Sequence, residues 1–160
     1  MQLRIGIGND LHCLVEGRPL FLGGLEIPYR LGLLGHSDGD AAVHALIDAL
    51  LGAAGLGDIG KHFPDTDPQY AGISSLRLLE KTAELIRQNG FSVVNLDGII
   101  MAQRPKLNPL FPEMQKKLAE ALGISPQQIN LKAKTGEEVG EIGRGEAVSA
   151  LFVALLNKAE

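Results

Sequence analysis

The chain is poor in cysteine and in aromatic residues. It has one cysteine, no tryptophan and only 4% aromatic residues, although 45% of its 160 residues are hydrophobic. A single cysteine excludes an internal disulfide and is typical of a reducing compartment. The core must therefore be built from Leu, Ile, Val and Ala.

Long apolar runs and basic blocks are also missing. No uninterrupted apolar run approaches the ~18 residues that a membrane-spanning helix needs, and no charged-then-apolar leader begins the sequence. A net charge of −4 without a basic block argues against a nucleic-acid partner. No linker or repeat marks a second domain. We therefore expect one catalytic domain over 1–160, in the cytoplasm, with neither membrane nor nucleic acid as a partner.

The hydrophobic pattern predicts strands and helices in alternation. Residues 2–9 and 91–102 are predicted as strands, and residues 74–89 and 111–122 carry apolar residues at helical spacing. Segment 147–157 stays open, because its Ala and Leu content favours a helix and its near-continuous apolar character favours a buried strand. The other predicted elements are a hairpin over 19–29 about Gly23-Gly24, a helix from Asp38 to a stop at Gly52, and a strand over 129–133.

A polar stripe marks the predicted helix that begins at Asp38. Asp40, His44 and Asp48 are spaced i, i+4 and i+8, so they share one face of a helix that is otherwise almost entirely apolar. One interpretation is a solvated helix face. The other is a site that binds a ligand or a metal ion.

The N-terminal strand supplies partners for the metal interpretation. Asp10 and His12 are two residues apart at its end, so their side chains would project to the same side. With His44 they make a set of two imidazoles and one carboxylate, which suits Zn²⁺ and leaves a position open for a substrate oxygen. A carboxylate usually holds the second nitrogen of a ligating histidine, and Asp40 or Asp48 would serve.

Two loops near this helix carry further candidates, each with a structural alternative. His36 and Ser37 would contact a ligand at the mouth of the site, or Ser37 or Asp38 simply caps the helix. Loop 53–68 is rich in Gly, Pro and Asp. Its carboxylates would accept hydrogen bonds from sugar hydroxyls, or they only form turns. These carboxylates are Asp58, Asp65 and Asp67.

Two later loops follow predicted strands. Loop 103–109 carries Arg104 and Lys106 at the carboxyl end of a strand, where ligands bind in open α/β sheets, although the residues alone favour two solvated surface cations. Loop 134–146 is dense in charge and glycine, and its backbone would wrap phosphates. The spacing of a P-loop is absent from it.

Five motifs, taken in order along the whole chain, resemble the 2-C-methyl-D-erythritol 2,4-cyclodiphosphate synthase family. Each would be weak by itself, but their agreement in order is specific. They are Asn-Asp-Leu-His at 9–12, His-Ser-Asp-Gly-Asp-Ala-Ala-Val-His-Ala at 36–45, Gly-Asp-Ile-Gly-Lys-His-Phe-Pro-Asp-Thr-Asp-Pro at 57–68, Ala-Gln-Arg-Pro-Lys-Leu at 102–107, and Gly-Arg-Gly-Glu at 143–146.

The resemblance implies a fold, an assembly and a reaction. The fold would be of the α/β (α+β) class, with helices on one face of a mixed sheet, and the final segment would be a strand. The assembly would be a homotrimer with active sites at subunit interfaces. The enzyme would be a phosphorus–oxygen lyase of the non-mevalonate isoprenoid pathway. It would convert 4-diphosphocytidyl-2-C-methyl-D-erythritol 2-phosphate into the 2,4-cyclodiphosphate and CMP.

The resemblance also implies roles for individual residues. Asp10, His12 and His44 would hold Zn²⁺ near the substrate, and Glu137 would help to bind a second ion, Mg²⁺ or Mn²⁺. His36 and Thr135 would stabilise the transition state. The further substrate contacts would be Ser37 at the methylerythritol phosphate; Asp58, Ile59 and Gly60 at the ribose; Phe63, Pro64, Asp65, Thr66 and Asp67 in the same pocket; Ala102, Gln103, Arg104, Pro105, Lys106 and Leu107 at the cytosine; Lys134, Thr135 and Gly136 at the diphosphate; and Glu141 and Arg144 at the central channel of the trimer.

Two positions depart from the family pattern, and two other functions stay open. Lys134 stands where many members carry Thr, and Glu141 stands where an aromatic residue is frequent. A metal-dependent phosphohydrolase would use the same ligands with water as the nucleophile. A non-catalytic binder would bind cytidine nucleotides or a metal ion at the same site without turnover.

Overall fold

A five-stranded mixed sheet forms the centre of the computed structural model, which describes residues 2–159. The strand order is β4-β1-β7-β5-β6, and β2 and β3 form a separate hairpin. The strands are β1 (Gln2–Val15), β2 (Leu20–Leu22), β3 (Leu25–Ile27), β4 (Gly32–Leu33), β5 (Phe91–Met101), β6 (Ile129–Lys134) and β7 (Ala147–Lys158). The helices are α1 (Ala41–Ala54), α2 (Ile59–His62), α3 (Ser75–Gln88), α4 (Phe111–Leu122) and α5 (Gly140–Gly143).

The final segment is a strand at the middle of the sheet. β7 pairs antiparallel with β1 on one side and with β5 on the other, whereas β5 and β6 are parallel. Ala150, Phe152 and Ala154 are buried on one face, and Val153 points to the other. The mixed sheet and the strand that the family resemblance implied are therefore confirmed.

Glycines in β1 allow the central helix to touch the sheet. A Cβ atom built at Gly6 would lie 2.0 Å from the carbonyl oxygen of Ala49, and one at Gly8 would lie 1.9 Å from that of Ala45. Only glycine permits so close an approach of two backbones. This contact places the face of α1 that carries His44 directly over β1.

The helices cover one face of the sheet, and the other face is open in the single subunit. α1 packs on β1 and β7, while α3 contacts β5 and α4 contacts β6. The core consists mainly of Leu, Ile, Val and Ala, as the composition requires. On the open face Ile5 is 74% exposed and Ile7 is 65% exposed. Within residues 2–159, no helix combines the length and the apolar character needed to cross a membrane.

Several element boundaries differ from the predictions. β1 continues to Val15, so Asp10 and His12 lie inside a strand and not at its end. α1 begins at Ala41 and not at Asp38, and its N-cap is Asp40, which contradicts the alternative that Ser37 or Asp38 simply caps it. The helix also continues past Gly52 and ends at Gly55, which has a positive φ of 71°.

Other predicted elements are confirmed. The hairpin turns at Gly23-Gly24 with positive φ at both residues, as a tight turn of this kind requires. The helices predicted over 74–89 and 111–122 are present as α3 and α4. Loop 53–68 contains one short helix, α2, that its composition did not indicate.

Candidate metal centre

Asp10, His12 and His44 converge on one point between β1 and α1. Oδ2 of Asp10 lies 2.8 Å from Nε2 of His12 and 3.1 Å from Nδ1 of His44, and the two imidazole nitrogens are 3.3 Å apart. The two-residue spacing on β1 brings the first two side chains to one side, and the contact of α1 with β1 brings the third. We call these three residues the metal triad.

The donor set and the spacing of the metal triad fit a divalent cation. Four ligands at about 2.0–2.1 Å from a tetrahedral zinc ion lie roughly 3.3 Å from one another, close to the separations in the triad. Among the described residues, these three form the cluster of His, Cys, Asp and Glu side chains able to share an ion. Glu137 lies outside it.

Electrostatics favour an ionised carboxylate in the triad. Burial opposes ionisation of Asp10, but the interactions of its carboxylate with the neighbouring imidazoles of His12 and His44 outweigh this effect and hold the pKa of Asp10 well below its usual value. The hydrogen bond to Asp10 raises the pKa of His12, against the effect of burial. The triad therefore contains an ionised carboxylate that can bind a cation.

The outer nitrogens of the two imidazoles are held by different groups. Nδ1 of His12 lies 2.5 Å from the carbonyl oxygen of Leu34. Nε2 of His44 lies 2.8 Å from Oγ of Ser75 and 3.0 Å from Oγ of Ser37. Both outer nitrogens thus have polar partners, as ligating histidines usually do.

The carboxylates predicted to hold His44 are engaged elsewhere. Asp40 accepts hydrogen bonds from the backbone N–H groups of Gly23, Gly24 and Val43. Asp48 accepts one from Ile59. The prediction that Asp40 or Asp48 would hold the second nitrogen of His44 is therefore wrong, because both side chains satisfy backbone donors that the sequence pattern did not reveal.

A cavity of about 480 Å³ opens above the metal triad. It brings together most of the predicted contacts from the first half of the chain. Asp58 caps α2 beside it, accepting a hydrogen bond of 2.9 Å from the N–H of Lys61. Nε2 of His36 lies 3.3 Å from the carbonyl oxygen of Asp67. The predicted contacts Thr66 and Asp67 therefore lie next to His36 in the fold. The predicted residues that line the cavity are Asp10, His12, His36, Ser37, His44, Ile59, Gly60, Phe63, Pro64 and Asp65.

A second cavity, of about 300 Å³, contains the predicted contacts from the second half of the chain. It lies where the parallel strands β5 and β6 end. Gly136 joins its two loops, donating from its backbone N–H to Oε1 of Gln103 at 3.2 Å. The predicted residues that line it are Ala102, Gln103, Arg104, Pro105, Lys106, Leu107, Lys134 and Thr135.

The two cavities open at the same end of the sheet. Leu11 of β1 pairs with Ser149 of β7, which pairs with Met101 of β5. Two strand spacings, about 10 Å, therefore separate β1 from β5 at this level. Within one subunit the residues predicted to bind one substrate thus line two neighbouring cavities.

The loop after β6 has an unusual backbone. Glu137 and Glu138 both have positive φ, of 50° and 61°, which costs a non-glycine residue of order 1–3 kcal/mol. Such strain concentrates at functional sites.

The two residues predicted at the central channel follow this loop. Arg144 forms a two-point ion pair with Glu146, and Glu141 lies within α5 just before Arg144.

Comparison with known proteins identifies the family. A model of the YgbB family matches residues 3–157. This chain belongs to the YgbB family. A curated 2-C-methyl-D-erythritol 2,4-cyclodiphosphate synthase from Pelotomaculum thermopropionicum is 54% identical over 156 residues, which are 98% of this chain and 96% of the relative. The synthase from Syntrophotalea carbinolica is 55% identical over 158 residues, 99% of this chain and 96% of the relative.

Two solved structures share the fold of this chain. A 2C-methyl-D-erythritol-2,4-cyclodiphosphate synthase in its CDP-bound form has a TM-score of 0.88 and 44% identity, covering 96% of this chain and 100% of that chain. The bifunctional IspDF from Campylobacter jejuni has a TM-score of 0.95 and 42% identity over 99% of this chain. This chain spans 43% of the length of that bifunctional protein. The family resemblance of the five motifs is confirmed.

Several residues of this YgbB-family site were missed from the sequence, and three of them lie on α3 or just before it. Tyr70 and Leu78 line the first cavity, and Tyr70 packs edge-on against Phe63 with ring centroids 5.5 Å apart. Ser75 contacts His44 although it begins a helix that carries no other sign of chemistry. Nothing in the local sequence points to these contacts, because each joins segments that lie apart in the sequence.

Proposed function

We propose that this chain is a 2-C-methyl-D-erythritol 2,4-cyclodiphosphate synthase, which acts as a phosphorus–oxygen lyase in the cytoplasm. The observation that carries the proposal is the convergence of Asp10, His12 and His44 beneath a cavity, in a chain of the YgbB family. The substrate would be 4-diphosphocytidyl-2-C-methyl-D-erythritol 2-phosphate. Its 2-phosphate would attack the β-phosphorus, forming the cyclic diphosphate and releasing CMP.

The reaction depends more on neutralising the charge of the phosphate groups and aligning them than on a general base. A phosphomonoester has a second pKa near ~6, so it is already largely ionised at neutral pH and can act as the nucleophile directly. The attacking and the attacked groups are both anions. The protein must therefore offset their repulsion and hold the two ends of the substrate together, which gives the advantage of an intramolecular reaction.

The metal triad supports a zinc ion as part of this proposal. Asp10, His12 and His44 would hold it, and Glu137 would contribute to a second site for Mg²⁺ or Mn²⁺. Bound divalent ions supply positive charge that offsets the phosphate charges and the charge of the leaving CMP. The negative charge of Asp10 and the open side of the triad toward the cavity favour such binding.

Hydrogen-bond donors in the two cavities would serve the transferring phosphoryl group. His36 lies in the first cavity and Thr135 in the second, and both can donate to phosphate oxygens as charge shifts in the transition state. Ser37 would bind the methylerythritol phosphate end. Lys134 and the backbone around Gly136 would bind the diphosphate, and the left-handed backbone at Glu137 favours a functional role for this loop.

The cytidine part of the substrate would extend away from the metal triad. Asp58 and Gly60 would bind the ribose, and the 102–107 loop would surround the cytosine with the help of Lys106. The CDP-bound form of a relative at 44% identity supports a cytidine nucleotide as the ligand.

We include a homotrimer in the proposal, with active sites formed between subunits. The open sheet face bears Ile5, Ile7 and Val153, an apolar surface of the kind that is buried in subunit interfaces. Two further copies of this chain would cover it. Assembly would also allow the cavity beside the metal triad of one subunit to be completed by the second cavity of its neighbour.

Phosphorus NMR of the purified protein with zinc, magnesium and the cytidylyl substrate tests the activity. The proposal expects resonances of the cyclic diphosphate and of CMP. Inorganic phosphate would instead support a metal-dependent phosphohydrolase, and binding of CDP without turnover would support a non-catalytic binder. His44→Ala should abolish turnover through loss of zinc, so a variant that keeps full zinc content and activity would refute the metal site.

Sedimentation of Ile7→Glu tests the assembly. A carboxylate in the middle of the open face should dissociate the trimer into monomers, because it would bury an unpaired charge at the interface. Lys117→Glu, on the exposed side of α4, changes the charge without touching that face and should remain trimeric. A wild-type protein that sediments as a monomer contradicts the trimer.

A further inference from the structure

We propose that Ser75 and Asp38 are positioning residues for His44, which fix the tautomer and the orientation of this ligand. The inference deepens the proposed function, since it rests on the metal triad. We call the three residues the Asp38–Ser75–His44 relay. It joins the loop before α1, the first residue of α3 and the ligand on α1.

The first step of the argument concerns the proton on His44. Its Nδ1 faces the triad, at 3.1 Å from Oδ2 of Asp10 and 3.3 Å from Nε2 of His12. A neutral imidazole that offers a lone pair at Nδ1 carries its proton at Nε2. The outer nitrogen of His44 is therefore a donor and requires an acceptor.

The second step identifies Ser75 as that acceptor. Its Oγ lies 2.8 Å from Nε2 of His44, and its own hydroxyl proton is donated to Oδ1 of Asp38. The hydroxyl of Ser75 therefore presents a lone pair to His44. Ser75 is fully buried, so its hydroxyl group has no contact with bulk water.

The third step concerns Asp38, which is held at several points. Its Oδ2 accepts a hydrogen bond of 2.8 Å from the backbone N–H of Ser75, and its Oδ1 also accepts one from the N–H of Asp40. Its own N–H donates to the carbonyl oxygen of Ile73. The carboxylate cannot turn away from Ser75 without losing the hydrogen bonds from the N–H groups of Ser75 and Asp40, so it is held in place.

The second hydroxyl near His44 has a different role. Ser37 Oγ lies 3.0 Å from the same nitrogen, but the single proton of Nε2 is directed to the shorter contact with Ser75. Ser37 lines the cavity and its hydroxyl proton remains available there. Ser37 thus faces the substrate side, whereas Ser75 supports the metal side.

The relay does for His44 what a backbone carbonyl group does for His12: it accepts the hydrogen bond of the outer ring nitrogen. His12 donates from Nδ1 to the carbonyl oxygen of Leu34, a group that no side-chain substitution removes. His44 depends on side chains alone. Without the relay its ring can rotate and withdraw Nδ1 from the triad, which lowers the affinity for the metal.

Zinc affinity tests the relay apart from catalysis. Competition with a chromophoric chelator measures Zn²⁺ binding to the full-length wild type, Ser75→Ala, Asp38→Asn, Ser37→Ala and His44→Ala. We expect Ser75→Ala to bind zinc about 10–100-fold more weakly, as is typical when the outer partner of a ligating histidine is removed. Asp38→Asn keeps the shape of the side chain and should also bind zinc more weakly than the wild type. Ser37→Ala should bind zinc as the wild type does.

A second readout follows the proton itself. In the Co²⁺-substituted protein, the Nε2 proton of His44 should give a shifted NMR resonance that exchanges slowly with water. It should persist in Ser37→Ala and be lost to exchange in Ser75→Ala. Far-UV circular dichroism of each metal-free variant controls for folding. If Ser75→Ala does not fold, Asp38→Asn decides.

The outcomes separate the relay from the function on which it rests. The relay is wrong if Ser75→Ala and Asp38→Asn keep wild-type zinc affinity while His44→Ala loses it. It is also wrong if Ser37→Ala loses as much affinity as Ser75→Ala. If His44→Ala itself binds zinc like the wild type, the metal triad is wrong and the relay falls with it.

Discussion

The carboxylate of Asp48 accepts a hydrogen bond of 2.7 Å from the backbone N–H of Ile59. Asp48 lies one turn beyond His44 on α1, and Ile59 begins α2 next to Asp58. Burial raises the pKa of Asp48 above its usual value, and the hydrogen bond from Ile59 partly offsets this effect. The bond ties the helix of the metal triad to the loop that we propose for the ribose.

Removal of this hydrogen bond should weaken substrate binding more than it slows the chemical step. In Asp48→Ala the loop at Ile59 loses its anchor, so we expect the KM for the cytidylyl substrate to rise severalfold with a smaller change in kcat. Asp48→Asn retains an acceptor oxygen and should keep most of the affinity. Steady-state kinetics distinguish these results, and a loss confined to kcat would contradict the anchoring role.

Asp58 has a structural and a proposed functional role that one pair of variants can separate. Asp58→Ala should raise KM more than it lowers kcat, because the carboxylate would no longer accept hydrogen bonds from the ribose. It also removes the N-cap of α2, which is typically worth about 1 kcal/mol. Asp58→Ser keeps a capping oxygen but no carboxylate. If the serine variant restores the wild-type KM, capping alone explains the effect.

Close packing of β1 on α1 predicts opposite effects of two glycine substitutions. A Cβ at Gly8 would lie 1.9 Å from the carbonyl oxygen of Ala45, so Gly8→Ala should destabilise the fold by about 3 kcal/mol or more. Gly52 is exposed inside α1, and its nearest contact would be 3.9 Å away. Gly52→Ala should therefore stabilise by roughly 0.5–1 kcal/mol. Urea unfolding measures both, and equal effects would contradict the packing argument.

An ion pair on the open sheet face predicts a pH effect. The hydrogen bond from Lys132 lowers the pKa of Asp97 below its usual value of 3.8, with a further contribution from Asn130. A lowered folded-state pKa means that the stabilisation is complete above about pH 3.8 and is lost as the pH falls through the lowered pKa. Both side chains are 43% exposed in the single subunit, so the effect on its stability is small.

Carbon-13 NMR of the Asp97 carboxyl group measures this pKa directly. Lys132→Met should move it upward toward the usual value, although Asn130 still donates to the carboxylate. Lys116→Met, on α4, serves as a control of equal charge change and should leave it in place. An Asp97 pKa that does not respond to Lys132→Met would contradict the assignment.

Local patterns determined the elements whose signals are complete within a few residues. α3 and α4 have apolar residues at helical spacing, and Gly123 ends α4 in the left-handed conformation that favours glycine. The Gly23-Gly24 hairpin is equally local. Segment 147–157 was undecidable from its own residues, because its state depends on pairing with β1 and β5, which lie far away in the sequence.

The metal triad shows how far the sequence by itself reaches. Residue types and the two-residue spacing predicted Asp10 and His12 as one pair, and a helical period predicted the face that carries His44. The partner of His44 was decided only by the tertiary structure. Ser75 is 31 residues from His44, and α3 must pack against α1 before the two side chains meet. Periodicity fixes the direction of a side chain along its own element, whereas the group it meets depends on packing between elements.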